Sequence, residues 1–80
     1  MKRLVLVPAR IRDRFRAEWR DIDRRFPHFS PAPDGMRLDE HWEHLAMLRH
    51  AARDELRLAI VEAANIYADE GDAALYAIAV

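Results

Sequence analysis

The sequence predicts a small, mainly α-helical domain: an antiparallel helical hairpin with a short strand at either end. Three observations lead there. Residues 39–70 hold neither Pro nor Gly and repeat apolar side chains at helical spacing. Residues 9–26 repeat large apolar side chains every three or four positions. The stretch between them, 27–38, carries three of the four prolines. Eighty residues make a single domain, 1–80, that buries only about 60–65% of its unfolded surface.

Residues 2–7 read Lys-Arg-Leu-Val-Leu-Val. A short β-branched run bounded by Pro8 marks a strand. Pro8 suits the first turn of the helix that follows, where backbone N–H groups have no partner in any case. In helix 9–26 the apolar positions are Ile11, Phe15, Trp19, Ile22 and Phe26, spaced four, four, three and four. They form one narrow, heavy stripe, and Pro27 ends the helix. In the loop, Pro31 and Pro33 favour extended backbone, and Pro33-Asp34-Gly35 marks a turn.

Helix 39–70 is the rod the rest is built on. Asp39 is the expected N-cap, with Glu40 and Glu43 placing negative charge near the positive end of the helix dipole. Trp42, Leu45, Ala52, Leu56, Ala59, Ala63 and Ile66 define an apolar face, which Leu48, Ile60, Ala64 and Tyr67 widen. Arg53 and Arg57 fall on the opposite side in this reading. The half from Leu58 to Ala68 is apolar nearly all round, so it is expected to be buried on more than one side, by the chain itself or by a second copy. Gly71 is the expected C-terminal stop.

Residues 72–80 permit two readings. Asp72 and the alanines suit a short final helix, which would make the fold all-α. Tyr76, Ile78 and Val80 alternate with alanine, which suits a strand over 74–80. The strand is preferred, because the N-terminal strand otherwise lacks a partner. The expected order is then β-α-α-β. The expected core anchors are Ile11, Phe15, Trp19, Ile22, Phe26, Trp42, Leu45, Leu56, Ile60 and Ile66, with both tryptophans between the two helices.

There is no cysteine, so no disulfide framework and no thiolate chemistry, which fits a cytoplasmic protein. No apolar run approaches the roughly 20 residues of a membrane span. Ser30 is the only serine and there is no threonine. Gly35 and Gly71 stand alone, so no phosphate-binding loop is present. His41 and His44 supply two ligands at His-x-x-His spacing, fewer than a metal centre needs, and neither Glu40 nor Glu43 has a histidine three residues on. The sequence therefore points away from an enzyme, a metal centre or a cofactor.

Charge is polarised along the chain. Residues 1–30 hold nine basic and four acidic side chains; residues 31–80 hold four basic and ten acidic. The acidic set Glu40, Glu43, Glu55, Glu62, Asp69, Glu70 and Asp72 is a candidate face for a protein partner, where charge sets approach and register. Arg10, Arg14, Arg20, Arg24 and Arg25 are the alternative, a cationic face for nucleic-acid phosphates. That face is diluted by Asp13, Glu18, Asp21 and Asp23, with Arg10–Asp13 and Arg14–Glu18 at helical pair spacing. Phe26, His28, Phe29 and Met36 could form an apolar docking edge at the loop.

The leading expectation is a non-enzymatic protein–protein interaction module, homodimeric through the alanine-rich half of the long helix. Its size and lack of chemistry suit a phage or mobile-element inhibitor of the anti-CRISPR kind, which blocks a larger complex through a charged face. The alternative is a small dimeric DNA-binding regulator. A strand followed by two helices resembles the ribbon-helix-helix order in outline, although the second helix here is far longer and the connecting loop is Pro-rich.

Overall fold

In the computed structural model, residues 3–68 and 74–80 are described. The chain runs β1 (Leu4–Pro8), α1 (Ala9–Arg25), α2 (Leu38–Tyr67) and β2 (Leu75–Ala79), the expected β-α-α-β order. The molecule is long and narrow, 56 × 21 × 16 Å. α2 sets that shape: 30 helical residues at about 1.5 Å each make a rod of about 45 Å.

β1 and β2 pair antiparallel, with Val5 opposite Ile78 and Leu6 opposite Ala77. Arg3 and Val80 extend the ladder by exchanging both backbone bonds, at 2.9 and 2.8 Å. Residues 74–80 are therefore extended, and the short final helix does not form there. The ladder satisfies the backbone of two segments that would otherwise each lack a partner. Alternation does the rest: Val5, Val7 and Ile78 point inward, and Leu4 and Leu6 point out. Pro8 is the last residue of β1 as well as the N-cap of α1, rather than its first helical residue. Its extended backbone (φ −60°, ψ 158°) suits both roles.

The core lies between the sheet and the two helices. Val5, Val7 and Ile78 from the strands meet Phe15 and Ile22 of α1 and Leu56, Ile60 and Ala64 of α2. Ile11, Trp19 and Phe26 pack against this cluster half-buried. Val7 is the one fully enclosed side chain among the described residues.

Several expectations are corrected. Helix α2 starts at Leu38, and its N-cap is Arg37, not Asp39. The His41 N–H donates to the Arg37 carbonyl at 3.0 Å, which opens the helical ladder two residues earlier. Asp39 lies in the first turn, where its carboxylate accepts from the Glu40 N–H and from Arg37. Ile66 is no core anchor: it is 73% exposed. Trp42 and Leu45 are half-buried and stand outside the core cluster. The reason is length. α1 has 17 residues and α2 has 30, so the first turns of α2 run past the end of α1. Gly71, Asp69, Glu70 and Asp72 lie outside the described residues, so the C-terminal stop and three members of the expected acidic face do too.

The buried face of α2 is also rotated from the one expected. Ala52, Leu56, Ile60 and Ala64, four apart, point inward. Arg49, Arg53 and Arg57 lie beside them, half-buried against α1, where the sequence reading put Arg53 and Arg57 on the far side.

Candidate functional site

Three surfaces carry side chains that sequence reasoning singled out. The first is the seam where α2 arginines meet α1. The Arg49 guanidinium donates to the Phe26 carbonyl at 3.0 Å, at the end of α1. Arg53 pairs with Asp23 and lays its guanidinium 4.6 Å from the Trp19 ring centroid. Arg57 stacks over the same ring at 5.1 Å and pairs with Asp54 at 2.7 Å. Guanidinium planes stack on aromatic faces while their edges still donate. The seam thus holds the cations in place half-buried, with Trp19 between the two helices.

The basic set on α1 is largely engaged within the chain. Arg14 pairs with Glu18 at 3.1 Å. Arg24 and Arg25 share Asp21 at 3.0 and 3.1 Å. Arg10 lies over the Tyr67 ring rather than beside Asp13, which pairs with Arg12. Of the five, Arg20 alone has no ionic or aromatic partner among the described residues. Arginines in exposed pairs remain available at a cost of about 0–1 kcal/mol each. They nevertheless present mixed charge rather than a positive stripe.

The second surface is the loop and the first turns of α2. The Trp42 Nε1–H donates to the Ser30 carbonyl at 3.0 Å, and the Phe29 ring meets Trp42 edge-on at 5.3 Å. Ser30 Oγ lies 2.8 Å from His41 Nε2, with the tautomer deciding which of the two donates. Trp42 therefore anchors the loop to α2, not α1 to α2. A serine beside a histidine is a nucleophile–base geometry, which needs a third group to orient the ring. Among the described residues no carboxylate is hydrogen-bonded to His41. No group of three or more His, Asp or Glu side chains converges on a metal position among the described residues. Phe29 stands 80% exposed, with Met36 and Leu38 also open at this end. The Ser30–His41 contact lay beyond sequence reasoning, because 11 residues and a loop of unknown path separate the two.

The third surface is the outward side of α2. Glu40, Glu43 and Glu62 are exposed there, and exposed Glu55 stands at its edge, on the rim of the groove beside α1. None has a cation within 4.0 Å among the described residues, because Arg49 and Arg53 turn inward, Arg57 pairs with Asp54, and Arg37 ahead of the helix pairs with Asp39. Between them stand Met47 (71% exposed) and Leu58 (66% exposed). A shallow notch lies around Ala51, lined also by Ala46, Met47, His50 and Asp54. Ala59 and Ala63, in the half expected to meet the rest of the chain or a second copy, line shallow grooves alongside α1, one of which Ala52 also lines. No described helix is long and apolar enough to cross a membrane. Compared with family models, curated proteins and solved structures, the chain matches none.

Proposed function

We propose that the protein is a non-enzymatic interaction module of the cytoplasm whose working surface is the outward side of α2. One observation carries this reading. A helix of about 45 Å presents exposed Met47, Leu58 and Ile66 among four glutamates that have no ionic partner among the described residues. Exposed large apolar side chains rimmed by polar ones mark protein-docking surfaces. Charge of one sign on the rim sets the approach of an oppositely charged partner. Blocking a larger complex, as small phage and mobile-element inhibitors do, is the mode of action such a rod suits: it covers a basic surface without chemistry of its own. The engagement of Arg10, Arg14, Arg24 and Arg25 within the chain weighs against the DNA-binding alternative.

The test is co-purification from native lysate of the wild-type chain beside Leu58→Glu and Arg16→Glu, with circular dichroism to confirm that each variant is folded. A partner kept by wild type and Arg16→Glu but lost with Leu58→Glu supports the reading. A partner held equally by all three places the working surface elsewhere.

A further inference from the structure

We infer that the occupant of the outward side of α2 is a cationic, amphipathic segment of another protein. Such a segment seats one large apolar side chain in the notch at Ala51 and places Lys or Arg on either side of it. The inference rests on the interaction reading above and specifies its chemistry.

Shape, charge and area lead to that occupant. The notch is a place on this face where a partner can approach the helix axis, because Ala46 and Ala51 are small while Met47, His50 and Asp54 stand around them. Glu43 lies one turn before Met47, and Glu55 lies one turn after Ala51, on the edge of this face toward α1. Twelve residues at about 1.5 Å separate the two glutamates by about 18 Å along the axis. Glu40 and Glu62 repeat the pattern further out. An apolar knob with cations on both sides therefore meets complementary chemistry at each point.

Charge decides against the other occupants. A second copy crossing antiparallel about Ala51 would set Glu40 of one chain opposite Glu62 of the other, twice over. A parallel copy would set every glutamate beside itself. Like charges facing each other across an interface are unfavourable. Nucleic acid phosphates are repelled by the same four carboxylates. Area permits a stable complex: a strip about 45 Å long and about 10–12 Å wide is roughly 500 Å² on this side alone. Counting both partners, that reaches the roughly 1,000 Å² that a specific interface requires.

The experiment uses the full chain and three synthetic peptides: an amphipathic Leu/Lys helix, its Leu/Glu counterpart and a Lys-only peptide of equal charge. Calorimetric titration is run at about 50 and 300 mM salt, with sedimentation of the chain alone. Binding of the Leu/Lys helix is expected to weaken at least tenfold with Ala51→Trp, which fills the notch. It should weaken as much with Glu43→Lys/Glu55→Lys and again at high salt, while Arg20→Glu leaves it unchanged. Circular dichroism of each variant separates loss of binding from loss of fold. Equal affinity for the Lys-only peptide, or affinity within twofold for Ala51→Trp, overturns the inference. So does self-association that Glu62→Lys strengthens or abolishes. If a native partner is lost with Leu58→Glu yet ignores Ala51→Trp and salt, the interaction reading stands and this inference alone falls.

Discussion

At the scale of single residues, stability concentrates where strands meet helices. Val7 is fully enclosed, and its neighbours come from every element of the fold. Val7→Ala removes two methyl groups' worth of burial and leaves a void, so it should cost about 2 kcal/mol in urea denaturation. Leu58→Ala, on the open side of α2, should stay within about 0.5 kcal/mol. Arg53 is the more instructive side chain. Its Nη2 reaches Asp23 and its plane lies on Trp19, while its Nε is buried without a hydrogen-bond partner. The unmet donor offsets part of what the stack and the ion pair contribute. A double-mutant cycle of Arg53→Met with Asp23→Asn should give a coupling of about 0.5–1.5 kcal/mol, since the pair is only partly shielded. The exposed Arg14–Glu18 pair, treated the same way, should give under about 0.5 kcal/mol. Equal couplings would mean that burial at the seam adds nothing.

At the scale of elements, α2 is one uninterrupted helix, and its exposed middle tests that continuity. Ala51 is exposed and makes no core contact, so Ala51→Gly should cost about 1 kcal/mol through helix propensity alone. Ala51→Pro should cost about 3 kcal/mol or more, because it breaks the backbone ladder. The loop depends on two local devices. Gly35 sits at φ +82°, with the Met36 N–H donating to the Pro33 carbonyl at 3.1 Å. A positive φ at the third position of a turn closed this way is the type II signature that favours glycine. Gly35→Ala should cost about 1–2 kcal/mol from backbone strain, since no atom crowds the added methyl. Trp42→Phe keeps the ring and removes the donor to Ser30. Hydrogen exchange should then quicken in residues 28–36 and stay unchanged in α1.

At the scale of the whole molecule, the two-stranded sheet closes the chain ends over the helical hairpin. Two short strands are marginal alone, so the sheet persists because Val5, Val7 and Ile78 bury into the helices. Ile78→Ala should cost about 2–4 kcal/mol and loosen both strands together. Pairing residues so distant in sequence carries a large closure cost, which suggests that the sheet forms after the helices. Ile78→Ala should then speed unfolding more than it slows folding, whereas a Phe15 truncation should slow folding; stopped-flow chevrons read both. Both helices, the N-terminal strand and the turn at Gly35 were legible in the sequence because each rests on local chemistry, whereas the C-terminal strand was legible only through the need of β1 for a partner. The proposed working surface was legible only in part. Glu40, Glu43, Glu55 and Glu62 were found by composition, and Leu58 fell outside the expected apolar face, but Met47 and the notch at Ala51 were not found, since nothing in the spacing marks them until the packing is known.

The sequence by itself determined both helices, the N-terminal strand and the turn, because side-chain period, proline and glycine act within a few residues. For residues 74–80 local preference is divided between helix and strand, and pairing with β1 selects the strand. Only the tertiary structure decided which way α2 faces. A helix apolar on most sides has several nearly equivalent stripes, and arginine stems can line a buried seam as readily as an open surface. The choice fell to Trp19 and Asp23 on α1, which drew Arg53 and Arg57 inward and left Leu58 and the glutamates outside. Packing between elements set that rotation, and with it the surface left open to a partner.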